Sequence, residues 1–338
     1  MRHTVFDVCS QERSIGMSKF DEIMKRSGYS RATVSRVINH SPHVSEEARR
    51  IITEIMNELD YIPNRNAVSL STGQTKQIGI VTAMIDELSL TFINQFMDTA
   101  MDYGFQTIVY MSRSDKQIEL QAFEDLRSKR VDGLLIVTCV NDPGELKAYM
   151  QYGPMVSWQR MGNDEIPSIA MDQAQGYRLA LEHLVSKGYT RIANVFGRRG
   201  SLNTQSRREA YEAYMTSKGL SVWREAYQYS VFTSSDGETA LRRMANGGEL
   251  PQAVLCSNDY AAIGIMSEAR RQNIRVPDQL AIVGFDDIEL SRVLELTTIH
   301  NPIAEQAKQA FYHLWEALGK EEHKTTSLAY RLIERSTT

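Results

Sequence analysis

Three short amphipathic stretches follow one another near the amino end. Ser18 precedes Lys19-Phe20-Asp21-Glu22, an N-cap with acids in the first turn, and Phe20, Ile23 and Met24 then share one helical face. Gly28 breaks that helix and Ser30 caps a second, whose apolar stripe is Val34, Val37 and Ile38. After Ser41-Pro42, Ser45 caps a third helix, in which Ala48, Ile51, Ile52, Ile55, Met56 and Leu59 recur at helical spacing. Three short helices, the first two joined by a glycine turn, predict a helix-turn-helix unit. The opposite face of the second helix carries Arg31, Ala32, Ser35, Arg36 and Asn39.

From Gln77 onward the pattern changes. Short apolar, β-branched runs at 78–81, 107–110, 134–138, 192–196, 253–256 and 280–284 alternate with helical stretches, and Gly104, Gly188 and Gly219 end helices before strands. Alternation over this length predicts parallel sheets in two lobes, with ligands beyond the carboxyl ends of the strands. Between the two regions, residues 64–75 form a polar linker with room for one or two helical turns, capped by Asn64 and stopped by Gly73. A helix so short is marginal in water, so the linker is expected to be disordered until something holds it.

Composition narrows the function. The 338 residues are 42% hydrophobic and 24% charged, the mix of an ordinary globular protein. No apolar run approaches a membrane span, and residues 1–16 offer no secretory signal, so a cytoplasmic location is expected. Cys9, Cys139 and Cys256 lie far apart and suit neither a disulfide framework nor a metal site. The net charge of −4 is uneven: residues 17–76 carry +2, whereas the region after them carries −6. A DNA-reading module inside an acidic chain is compatible with this distribution. On the second helix, Arg31 and Arg36 offer guanidinium groups for guanine edges and phosphates, beside small residues that permit close approach to a major groove. The phosphate-loop, zinc-protease and nucleophile-elbow motifs are all absent, so no enzyme, cofactor or metal is expected.

The run Gly28-Tyr29-Ser30-Arg31-Ala32-Thr33-Val34-Ser35-Arg36-Val37-Ile38-Asn39, with Val44-Ser45 and Tyr61-Ile62-Pro63-Asn64, resembles the helix-turn-helix of the lactose-repressor/galactose-repressor family. Pro63-Asn64, Ala67 and Leu70 resemble that family's hinge helix. The remainder resembles its effector-binding core, shaped like a periplasmic sugar-binding protein. The motifs are Gly176 before His183-Leu184-Val185 and Gly188, Arg191-Ile192-Ala193, Ser257-Asn258-Asp259, Val283-Gly284-Phe285-Asp286-Asp287, and Thr297-Thr298-Ile299 with Pro302.

The resemblance implies a DNA-binding transcription regulator, a repressor by family habit, acting as a homodimer on pseudo-palindromic operator DNA under a carbohydrate-like effector. It implies an all-α reading domain over 17–63, a hinge over 64–75 and a two-lobed α/β effector domain over 76–338, with lobe crossovers near 172, 301 and 327. Residues 1–16 fall outside it. By position, Arg31, Ala32, Thr33, Ser35, Arg36, Asn39 and His43 would contact bases or backbone, while Ala67 and Leu70 would enter the minor groove. The effector would meet Gln159, Arg207, Phe232, Asn258 and Asp286. Three departures stand out: Val68 where many members have arginine, Gln159-Arg160 where many have Asp-Arg, and Asp86-Glu87-Leu88-Ser89 in place of Asn-Pro-Phe-Phe. From the residues alone, Asn258 and Asp286 are also good helix caps, Phe232 a core residue and Arg207 a surface ion-pair residue. The alternative function is a sugar-binding or sugar-acting protein with an appended helical domain.

Overall fold

A computed structural model of the chain describes residues 18–39, 41–161, 166–323 and 326–338. The expected extension over 1–16 lies outside the described residues. Two compact units divide the chain after Lys76.

In the first unit, α1 (Lys19–Ser27), α2 (Arg31–Ile38) and α3 (Glu46–Glu58) begin at Ser18, Ser30 and Ser45, whose hydroxyls accept from Asp21 N, Thr33 N and Ala48 N. Each cap satisfies an N–H that the helix leaves orphaned. Gly28 closes α1 at φ 71°, a left-handed conformation that costs a residue with a Cβ but not glycine. Ile23, Val34, Val37, Ala48, Ile52 and Ile55 are all buried, so the three stripes form one small core. A fourth helix, α4 (Arg65–Thr72), follows.

The second unit contains two sheets. In the first lobe, β1 (Gln77–Thr82), α5 (Glu87–Asp102), β2 (Gln106–Met111), α6 (Lys116–Arg127), β3 (Gly133–Ile136), α7 (Pro143–Leu146) and β4 (Met155–Ser157) give a parallel sheet in the order β2-β1-β3-β4. The second lobe contains α8 (Gln173–Ser186), β5 (Ile192–Val195), α9 (Leu202–Ser217), β6 (Tyr227–Gln228), α10 (Ser234–Asn246), β7 (Ala253–Leu255), α11 (Asp259–Arg271), β8 (Ala281–Asp286), α12 (Glu289–Val293) and β9 (Thr298–His300). After α13 (Ile303–Ala317), β10 (Arg331–Ile333) completes its sheet in the order β10-β9-β8-β7-β5-β6, with only β10 antiparallel.

The chain passes between lobes more than once. Ile169 packs in the first core and Met171 in the second; Ile299 lies in the second and Ile303, on α13, returns to the first; Leu328 touches both. α13 therefore belongs to the first lobe, although it follows β9 in sequence, and it packs Ala307, Phe311 and Leu314 beside Phe92 and Phe96 of α5. This is the expected N-terminal helical unit with a two-lobed α/β domain. Among the described residues, no helix is long and apolar enough to cross a membrane.

Candidate nucleic-acid interface and effector cleft

Burial of Val34 and Val37 turns the other side of α2 outward. Arg31, Ala32 and Arg36 are exposed, and Thr33, Ser35 and Asn39 lie half-buried along the flanks. The Arg31 guanidinium sits over the Phe20 ring at 5.0 Å, a contact that steadies the first side chain of the helix. Asn39 closes α2, and its Nδ2 donates to Ser35 Oγ at 3.4 Å and to Ser71 Oγ of α4 at 3.1 Å. His43 is exposed on the loop before α3, where its N–H donates to Ser41 Oγ at 3.3 Å; Arg49 Nη2 holds that loop by donating to Ser41 O at 2.6 Å.

On α4, Ala67 is exposed and Leu70 is 88% exposed. The sequence alone offers no partner to hold so short a helix, yet the structure has it folded, and the reason is local. Ser71 and Thr72 hydroxyls donate back to Val68 O at 2.9 and 3.0 Å, and the Asn39–Ser71 bond ties the helix to α2. Among the described residues, nothing buries the large apolar side chain of Leu70.

In the second unit, four of the five expected cleft residues belong to the second lobe: Phe232, Asn258 and Asp286 follow or end its strands, and Arg207 lies on a helix. Arg207, on α9, is buried and is not the surface ion-pair residue its helical position allowed. Its Nε and Nη2 donate to Gln173 Oε1 at 2.9 and 2.6 Å, and Nη1 donates to Ser257 O at 2.7 Å. The guanidinium carbon lies 3.9 Å from the centre of the Phe285 ring, so the charge is held in direct contact by neutral acceptors and a π face. Gly176 leaves room for this packing: a Cβ there would lie 2.8 Å from Phe285.

Asn258 caps α11, accepting from Ala261 N at 2.8 Å, while its Nδ2 donates to Phe232 O at 3.0 Å. The cap reading is thus correct for Asn258. Phe232 is 43% exposed and is no core residue. Asp286 does not cap a helix. It is buried at φ 108°, outside the range most side chains adopt, and accepts from Asn301 Nδ2 at 3.0 Å. Burial pushes its carboxyl above the usual range; the Asn301 bond and the Arg207 charge oppose this, and the charge of Asp86, from the other lobe, adds to it. Asp86 itself caps α5, accepting from Ser89 N at 2.8 Å. Gln159 stands just past β4 in the first lobe and accepts from Cys139 N at 2.9 Å; it bonds to none of the other four.

Three residues that sequence reasoning did not select complete this region. Gln173 is the acceptor for Arg207 and donates from Nε2 to the Tyr330 hydroxyl at 2.9 Å, joining α8, α9 and the segment before β10. Asp259 is fully buried, accepts from Thr298 Oγ1 at 2.5 Å and Ile288 N at 2.9 Å, and has its carboxyl pushed up to about 7 by burial and by the charge of Asp286. Its signal was present: an acid directly after Asn258 at a strand end. Gln173 and Tyr330 lie 157 positions apart and had none.

Residues 19–64 match the family model described as bacterial regulatory proteins, lacI family, and residues 181–338 match a periplasmic binding protein-like domain. The uncharacterized HTH-type transcriptional regulator YkvZ of Bacillus subtilis (strain 168) is 32% identical over 322 residues, spanning 95% of this chain and 100% of the relative. The ribose operon repressor of Escherichia coli (strain K12) is 31% identical over 295 residues, 85% of this chain and 88% of the relative. Among solved structures, the lac repressor dimer bound to operator and the anti-inducer ONPF matches with a TM-score of 0.82 at 28% identity, covering 95% of this chain and 98% of that one.

Proposed function

Because the chain belongs to the lacI family of bacterial regulatory proteins, and is a DNA-binding transcription repressor and not an enzyme, we propose that it binds a pseudo-palindromic operator as a homodimer under the control of a sugar or sugar phosphate. It would do so in the cytoplasm. The observation that carries this reading is the outward face of α2, with Arg31, Ala32 and Arg36 exposed. One such helix per half-site enters the major groove, the two half-sites lying about one helical turn apart. Arg36 suits a bidentate contact to guanine, Ala32 an apolar contact to a thymine methyl, and Thr33, Ser35, Asn39 and His43 base edges or phosphates.

On α4, Ala67 lets the helix approach the minor groove and Leu70 wedges between base pairs beside its twin from the second copy. The Leu70 side chain gains burial only when DNA supplies it, so α4 is most stable on the operator. Leu90, Met97 and Met101 are exposed along one face of α5, opposite buried Phe92 and Phe96, which supports a second copy as their cover.

The effector enters between the lobes. Arg207, Asn258 and Asp286 meet its hydroxyls, Phe232 packs on the apolar face of a ring, and Gln159 approaches from the first lobe. A ligand that binds the two lobe arrangements unequally shifts the population able to hold DNA. Anisotropy titration of promoter duplexes with and without a panel of sugars and sugar phosphates tests both halves. Tight binding to one duplex, altered by one compound, supports the reading. Indifference to duplex sequence would overturn it.

A further inference from the structure

A buried hydrogen-bonded chain leads from Asp286 into the first lobe. Trp158 Nε1, just past β4, donates to Gln306 Oε1 at 2.8 Å; Gln306 Nε2 donates to Asn301 Oδ1 at 2.6 Å; Asn301 Nδ2 donates to Asp286 Oδ1 at 3.0 Å. An indole N–H can only donate, which fixes the Gln306 amide; that in turn fixes Asn301, leaving its Nδ2 for the carboxylate. Neither amide can flip without losing both of its bonds. Gln306 is 2% exposed and Asn301 9%, so water does not readily replace a broken link. The far end is equally constrained: the Trp158 ring stacks on Phe92 of α5 at 4.3 Å and 15°. The chain thus joins the end of β8, the passage between β9 and α13, the first turns of α13, and α5.

We propose that Asn301 and Gln306 are positioning residues that carry the occupancy of Asp286 to α5 through Trp158. The inference rests on the reading of the cleft as the effector site. A ligand hydroxyl that donates to Asp286 competes with Asn301 for the carboxylate. A weakened Asn301 bond loosens Gln306, and the Trp158 indole then shifts against Phe92. Because Leu90, Met97 and Met101 lie on the other side of α5, the shift reaches the face assigned to the second copy. Trp158 need not touch the ligand.

The full-length protein labelled with 5-fluorotryptophan tests this, since the chain has only three tryptophans. Trp158→Phe, which keeps a ring on Phe92 and removes the N–H, identifies the signal of residue 158. Asp286→Ala, which removes the acceptor of Asn301, and Gln306→Leu are each expected to move that signal much more than those of Trp223 and Trp315, which also report an intact fold. An Asp286→Ala chain whose Trp158 signal stays in place overturns the relay. D-ribose, D-glucose and their phosphates are then titrated against wild type and Trp158→Phe on operator DNA. A sugar that binds both proteins alike but changes operator affinity only in wild type supports the relay. One that changes operator affinity equally in both overturns it and leaves the cleft reading standing. An Arg207→Ala chain that binds and responds like wild type instead overturns the cleft reading.

Discussion

Asn39, the residue that caps the end of α2, donates from Nδ2 to Ser71 Oγ on α4 at 3.1 Å, so the helix proposed to read the major groove is tied to the helix that presents Leu70. An eight-residue helix has little stability of its own, and the bond supplies part of what it lacks. Ser71→Ala removes that bond and the back-bond to Val68 O while keeping a good helix former. Operator affinity is expected to fall by about 0.5–1.5 kcal/mol, read by titration at fixed salt. Unchanged affinity would show that the two helices are positioned independently.

Arg36→Ala tests direct readout. The side chain is exposed and makes no ion pair among the described residues, so its removal should leave the fold intact. A loss of about 1–3 kcal/mol on the operator, with relaxed preference at one base pair, is expected from a bidentate guanine contact. An equal loss on every sequence would assign Arg36 to phosphate instead.

Leu70→Ala separates wedging from charge. Specific affinity and operator bending should both decrease, whereas binding to random duplex, carried by phosphate contacts, should persist. Circular-permutation gel shifts read the bend. Retained bending would contradict the wedge.

Arg207→Ala should abolish the sugar response and leave operator binding in place. It also strips Gln173 Oε1 and Ser257 O of their donor, and each buried acceptor left alone costs about 1–3 kcal/mol. Chemical denaturation should therefore show a destabilised second unit. A variant as stable as wild type would mean that water replaces the guanidinium.

Asp259 predicts a pH dependence. The folded chain holds its proton to about pH 7, whereas the unfolded chain releases it near the ordinary carboxylate value. Between those values the folded state binds more protons, so the stability contributed by neutral Asp259 is present in acid and is lost as pH rises through about 7. Asp259→Asn removes this term. The stability difference, wild type minus variant, should fall steadily over that interval in urea titrations at several pH values; a flat difference would place the carboxylate among its ordinary kin.

The helical unit was largely legible because its information is local. Ser18, Ser30 and Ser45 cap the helices they precede, and the stripes through Ile23, Val34 and Ile52 point to the core they build. Asn258 and Asp286 were legible as polar residues at strand ends. What sets their surroundings was not: Gln173 meets Tyr330 across most of the domain, and Gln306 meets Trp158 over 148 positions. Periodicity shows that α13 is amphipathic, but not that it leaves the sheet of β9 to pack on the other lobe. β6, with two residues, is too short for alternation to register.

The most direct measurement is a competition between two labelled duplexes of equal length, the promoter fragment next to the gene and a scrambled version, for the full-length protein at one fixed salt concentration. A sequence-reading repressor should prefer the first by about a thousandfold or more. Equal affinity for both, with and without the sugar panel, would contradict operator recognition by the α2 face.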